Sequence, residues 1–440
     1  MRLPNGDGID SRLSSDDSLS QTTKGMRAER IIHGYARMAG ATIQLVASAS
    51  YPFAAVQSAL AVPVWSFPAE GTRYHRCLPA HGSLDQLEDD SEAAVLRLFG
   101  LSADDYAVTT QPHSVTQANQ IVFKTLLRPG QRVLALHPDA GGHISHTVDQ
   151  NSPFQIDHYG LDESGHLSLT QLEDLARHHQ PRLIIVGGSC YPHAIDLQAV
   201  RQICDRYGAY LMYDMAHTAS YVASGRHPAV FPHADVASFT LSKTLRGPEG
   251  GLLIVRRSLK AAVDAAVFPG VQGGPLVNHM LAKLVALEQW TQQSLGEFSD
   301  RVVANANRLL LALRDQGLQT TTTQTATHLL LLDCRDHRLP GAELEAMLEQ
   351  HGILASRNRV PADPLPANAC SGIRLGVTAI TQLGYDTAAI TQLAQALSQL
   401  IHGDRQRGQA LVDQLIDQHR QQLADLWQPA VVAETGYSGA

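Results

Sequence analysis

The chain has 440 residues, 44% of them hydrophobic, enough for a sizeable core and for more than one typical domain. Its 34 basic and 42 acidic residues leave a net charge of -8, which offers no basic footprint for nucleic acid or an anionic membrane; a small molecule and further copies of the chain are the expected partners. Five widely spaced cysteines without a CxxC pair fit a reducing, cytoplasmic setting, and no run of about 18 apolar residues exists to cross a bilayer.

Residues 1–26 are rich in Ser, Asp and Gly, with too few apolar side chains to offset the entropy of ordering, and read as a disordered leader without a signal peptide's apolar core. Leu84, Leu87, Ala94, Val95 and Leu98 fall on one helical face. A strand-like run, Tyr106 to Thr109, then gives way at Ser114-Val115-Thr116-Gln117 to a helical one. Short apolar runs follow at Val133 to Leu136, Leu183 to Val186, Tyr210 to Tyr213 and Val236 to Phe239, as expected of strands buried on both faces. The fold class this predicts is α/β: a large domain with a mainly parallel sheet covered by helices. A helical stretch around Asn278 to Asn307 leads to strand-like runs at His328 to Leu332 and Ile373 to Gly376, which suggest a smaller α+β C-terminal domain. The expected division is a leader at 1–26, an N-terminal arm and large domain at 27–295, a small domain at 296–402 and a polar, helix-prone tail at 403–440.

Several polar residues stand at the ends of these strands, where open α/β folds place their ligands. Asp214 closes the run from Tyr210, and Lys243 follows the next run and meets the turn Gly247-Pro248-Glu249-Gly250-Gly251. Read singly, Asp214 fits a helix cap equally well, and most lysines placed like Lys243 are solvated surface residues, so the pairing of the two carries the weight. Together they suit pyridoxal phosphate, which needs a lysine for its covalent link and an acid to keep its ring nitrogen protonated. Ser114 opens a helix whose first N–H groups could take a phosphate, though a plain serine cap reads the same way. Gly141-Gly142-His143 follows the strand at Val133 and would let the imidazole lie flat against a ring; the rival reading makes His143 and His146 metal ligands.

At this point the chain resembles the serine (glycine) hydroxymethyltransferase family. The stretches that carry the resemblance run in order: Ile43 to Ser48, Gln111 to Asn119, Gly141 to His146, Asp214-Met215-Ala216-His217, Lys243 to Pro248, Phe268 to Pro275 and Ser371 to Gly376. The resemblance implies the aminotransferase-like fold of fold-type I pyridoxal phosphate enzymes. It makes Lys243 the cofactor-bearing lysine, Asp214 the partner of the ring nitrogen and His143 the stacking group, with Ser189 and His217 near the phenolic oxygen. Ser114, Val115 and Thr116 would hold the phosphate, Thr240 would line the same site, and Gly273 and Gly274 would reach the phosphate from a second subunit. Arg374 and Ser48 would bind a small amino-acid substrate, and Glu70 would move protons at its hydroxyl.

The chain departs from the family pattern at Pro68, where a tyrosine is usual, and at Cys77 and Leu78, which replace a tyrosine pair. It also carries Ala49 and Ser50 for a glutamate and an asparagine, Ser242 for a histidine and Glu249 for an arginine. Aldol or retro-aldol chemistry at the Cα–Cβ bond of glycine, serine, threonine or a related β-hydroxy amino acid follows from the retained residues. Three readings stay open: tetrahydrofolate-dependent hydroxymethyl transfer, a folate-independent threonine transaldolase or aldolase, and a catalytically idle homologue.

Overall fold

The structure is a computed structural model that describes residues 27–147, 153–337 and 339–426; the leader and the end of the tail lie outside them. It forms two compact units, one made of Ser50–Arg301 and one made of the segment ending at Ala49 together with the residues from Val302 onward.

The first unit is built on a seven-stranded sheet: β1 (Tyr106–Thr109), β2 (Arg132–Leu136), β3 (Gln155–Tyr159), β4 (Leu183–Val186), β5 (Tyr210–Asp214), β6 (Val236–Phe239) and β7 (Leu252–Arg256), in the order β1-β7-β6-β5-β4-β2-β3. The strands β3, β2, β4, β5 and β6 pair in parallel, whereas β7 runs antiparallel to both β6 and β1. Alternate residues enter two separate cores. Leu134, Leu136, Ile184, Val186 and Leu211 pack into one, and Val133, Ala135, Leu183, Ile185 and Met212 into the other. Burial on both faces explains why these strands read as unbroken apolar runs. Two strands are not among the runs read from the sequence, and of these only β3 lacks the signal, since β7 is as apolar and as buried as its neighbours. β3 lies at the sheet edge and carries Asp157 and His158, and β7 follows directly on the glycine turn.

The second unit contains an antiparallel sheet of β8 (Gln319–Thr320), β9 (Leu329–Asp333), β10 (Ser356–Asn358) and β11 (Gly372–Gly376), in the order β8-β9-β11-β10. Residues 27–49, grouped in the sequence with the large domain, belong here instead. Ile43–Gln44 pairs in parallel with Ile353–Leu354, and Gly376 N donates to Leu45 O at 2.7 Å. The other boundary falls at Arg301, inside the helix Gln292–Asp315, rather than at 295. Beyond residue 403 the chain continues as the helices Arg405–Gln418 and Arg420–Leu426, with Leu415 and Leu423 buried.

Candidate active site

Where the parallel strands end, one pocket is lined by Ser114, Val115, Thr116, His143, Gly188, Ser189, Asp214, Ala216, His217, Thr240, Lys243 and Glu249. Nine of these residues are the ones expected from the sequence as cofactor-site residues, and they come from five separate segments. A larger depression of about 510 Å³ lies at the opposite end of the strands, beside Tyr210 and Arg256. Its arginines are already matched, since Arg201 and Arg256 both pair with Asp235 at 2.8 and 2.7 Å, so it offers no free charge for a ligand.

Asp214 ends β5 and is buried. Its Oδ2 accepts from Asn119 Nδ2 at 3.0 Å and from His146 Nε2 at 2.9 Å, and its Oδ1 accepts from Ala216 N at 3.1 Å. Burial opposes its ionisation, but the hydrogen bond and charge of His146, with Asn119 and His143 adding to them, outweigh burial and hold the carboxyl well below the usual carboxylate range. The helix that follows begins only at Ala219 and takes Thr218 as its cap residue, so Asp214 is not a helix cap. Gly187 has φ +104°, and a Cβ there would run into Asp214 O; the loop after β4 therefore needs a glycine beside the acid.

Asn119 and His146 are the partners that sequence reasoning missed. They stand 95 and 68 residues from Asp214, and only their presence inside quoted motifs could have marked them. The proposed metal pair is engaged otherwise: His146 donates to Asp214, while His143 Nδ1 lies 2.7 Å from Ser145 Oγ and accepts from Ser145 N at 3.1 Å. Asn119 Nδ2 also donates to Ser145 Oγ at 2.9 Å, so one amide links the acid to the loop that aims His143.

The sequence contains five lysines. Among the described ones, Lys124 donates to Gly270 O, Lys260 pairs with Asp264, and Lys283 donates to three buried carbonyls. Lys243 is the one that lines the pocket, with Nζ 2.9 Å from His217 Nε2. In the same pocket, Ser114 caps the helix Val115–Leu126, its Oγ accepting from Gln117 N at 3.1 Å. The cap reading of Ser114 thus holds, and the first N–H groups of that helix lack partners along the helix, as an anion site requires. A pocket lysine, a buried ionised acid, an aimed imidazole and a helix start together make a donor set that fits pyridoxal phosphate.

Glu70 is exposed and lies in the segment near Gly273 and Gly274; a Cβ on Gly273 would sit 3.5 Å from its Oε1, and one on Gly274 would run into Ala69 O. None of the three lines the pocket. Ser48 and Arg374 belong to the other unit, where Ser48 is exposed and Arg374 donates from Nε to Ser356 Oγ at 3.3 Å. Two departures from the family meet at the pocket: Ser242 Oγ donates to Glu249 Oε2 at 2.7 Å and lies 3.0 Å from Thr240 Oγ1.

The family model of serine hydroxymethyltransferase matches residues 24–397. The chain belongs to the serine hydroxymethyltransferase family. It is 39% identical over 381 residues to the serine hydroxymethyltransferase of Coprothermobacter proteolyticus, covering 86% of this chain and 91% of that protein. It is also 39% identical over 369 residues to serine hydroxymethyltransferase 2 of Rhodopseudomonas palustris and to serine hydroxymethyltransferase 1 of Rhodospirillum rubrum, in each case covering 83% of this chain and 84% of the relative. Membership makes it a pyridoxal phosphate-dependent enzyme of hydroxymethyltransferase type acting on glycine and serine, and its seven-stranded, mostly parallel sheet is that of a fold-type I enzyme. No described helix is long and apolar enough to cross a membrane.

Proposed function

We propose that the Lys243 pocket is where this enzyme makes and breaks the Cα–Cβ bond of serine, threonine or a related β-hydroxy amino acid, with glycine as the other amino acid of the reaction. The observation that carries this reading is the meeting of Lys243, His217 and the buried, triply hydrogen-bonded Asp214 in one pocket with a helix start. Bound pyridoxal phosphate supplies the electron sink for the pair of electrons left on Cα. Lys243 attaches the cofactor, and Asp214, kept ionised by His146 and Asn119, holds the proton on its ring nitrogen. His143 would hold the ring of the cofactor, Ser189 and His217 would hold its phenolic oxygen, and Thr240 would help to enclose it beside Lys243. Ser114, Val115 and Thr116 hold the phosphate.

The family resemblance assigns the remaining roles. Arg374, with Ser48, binds the substrate carboxylate, a task for a planar guanidinium. Glu70 moves the proton of the substrate hydroxyl. Gly273 and Gly274 serve the phosphate of a second copy, which makes the enzyme a homodimer or a larger homo-oligomer.

A folate-independent reading is favoured by one observation. Where the family has aromatic rings near substrate and folate, this chain presents Cys77 and Leu78, both exposed, after Pro68. Asn358, which matches a pterin-contacting position of the family, speaks for folate use; its Nδ2 donates to Arg359 O at 2.8 Å. Calorimetric titration of the glycine-loaded enzyme with tetrahydrofolate separates the two. Weak or undetectable binding alongside rapid threonine cleavage supports the folate-independent reading, and tight, saturable binding supports ordinary hydroxymethyl transfer.

A further inference from the structure

The helix Val277–Glu288 carries a lysine that the reaction does not use. Lys283 is 1% exposed, and its Nζ donates to Thr110 O at 2.6 Å, Pro112 O at 3.0 Å and Gly251 O at 3.1 Å. An ammonium has three donors and no acceptor, so the three carbonyls match it completely. They come from two segments that both lead into the lining of the pocket. Thr110 and Pro112 lead from β1 into the Ser114 cap and the helix start. Gly251 closes the turn that presents Glu249. The two segments also touch directly, through Gly251 N donating to Pro112 O at 3.0 Å, and a Cβ on Gly251 would run into Ser114 O. Gly250, at φ +143°, leaves room for the lysine, because a Cβ there would collide with Lys283 Cε. Burial pushes the Lys283 ammonium down to about 7, while the negative Glu249 opposes that shift.

We propose that Lys283 is a positioning residue that fixes the phosphate-holding wall of the cofactor site by tying the Thr110–Pro112 segment to the Gly250–Gly251 turn. The proposal rests on the reading of the Lys243 pocket as the cofactor site. Without the ammonium, three carbonyls lose a buried donor, and the Ser114 cap is no longer held in a fixed position against the adjoining turn.

The test compares binding of pyridoxal 5'-phosphate with binding of pyridoxal, which has the same ring and aldehyde but no phosphate, to the apoenzyme by absorbance titration. Lys283→Met keeps the length of the side chain and removes its donors; Lys283→Gln, which keeps two donors, serves if the methionine variant does not fold. In either variant the preference for the phosphorylated form is expected to fall about tenfold or more, while pyridoxal binding changes by less than about threefold. A preference retained within about twofold, even with a lowered melting temperature, would overturn the proposal and leave Lys283 as a core residue only. A wild-type protein that shows no preference for the phosphorylated form would instead refute the reading of the pocket.

Discussion

The Asp214 cluster and the segment from Val62 to His81 lie in the same unit and are held in place by opposite means. Around Asp214 the polar contacts are made in the interior: the buried Asn119 and His146 both donate to one buried carboxylate, and the half-buried Lys243 meets His217. The other segment is largely exposed, with Trp65, Phe67 and Tyr74 each more than half accessible. Its short hairpin, Gly71–Thr72 paired with His75–Arg76, is anchored by charge: Arg73 pairs with Asp89 and Glu92, and Arg76 with Asp85 and Glu88, all on the helix Gly82–Phe99. The family residues around Asp214 are kept, while Pro68, Cys77 and Leu78 depart from the pattern. A buried hydrogen-bond network tolerates little change, because each lost partner leaves another polar group stranded; an exposed hairpin tied down by its two arginines can change its outward-facing aromatic residues at small cost.

The largest expected effect comes from removing the covalent link. Lys243→Ala should abolish the visible absorbance of the bound cofactor and all turnover, with the far-ultraviolet circular dichroism unchanged. Persistent turnover would place the reactive lysine elsewhere.

Next is Asp214→Asn, which keeps the shape but leaves His146 and Asn119 facing a neutral amide. Turnover should fall by about 100-fold or more, in line with the roughly 3 kcal/mol of a hydrogen-bonded charge, while cofactor is still retained. The same variant tests the electrostatics. A carboxyl held lower in the folded than in the unfolded protein contributes stability that is present above its ordinary value of 3.8 and is lost as pH falls below it toward the folded value. Asp214→Asn should therefore be less stable than wild type at neutral pH and should show a shallower loss of stability on acidification, as followed by urea titrations between pH 7 and about 3.

Arg76→Ala probes the other region. Arg76 has a side chain only 5% exposed, and its loss leaves Asp85 and Glu88 without that partner. A destabilisation of roughly 3 kcal/mol in urea is expected, with cofactor absorbance preserved. If the absorbance is lost as well, the two regions are coupled and the contrast fails.

The smallest effect is expected from Leu78→Tyr, which restores one ring to an exposed position. Tetrahydrofolate affinity should rise by a factor of about five, about 1 kcal/mol, with threonine cleavage unchanged. No gain would show that folate use is decided elsewhere.

The same contrast explains what the sequence made legible. β2, β4, β5 and β6 announce themselves because both faces are buried, and Asp214 and Lys243 stand out because each follows such a run. β3 escapes notice because an edge strand can afford Asp157 and His158. Asn119 and His146 could be quoted as motif letters but not given a task, since hydrogen bonds that close only through the parallel sheet leave no local signature. Lys283 is the extreme case: within Leu281-Ala282-Lys283-Leu284 nothing distinguishes a solvated lysine from one whose ammonium is enclosed by Thr110, Pro112 and Gly251. The arm at 27–49 was misgrouped for the same reason, since its partner strand Ile353–Leu354 lies some 300 residues away.

Borohydride reduction of the cofactor-loaded enzyme, followed by peptide mass spectrometry, tests the site assignment most directly. The added pyridoxyl mass should appear on the peptide carrying Lys243 and on no other lysine-containing peptide; a label on Lys124, Lys260 or Lys283, or none at all, would contradict the Lys243 site.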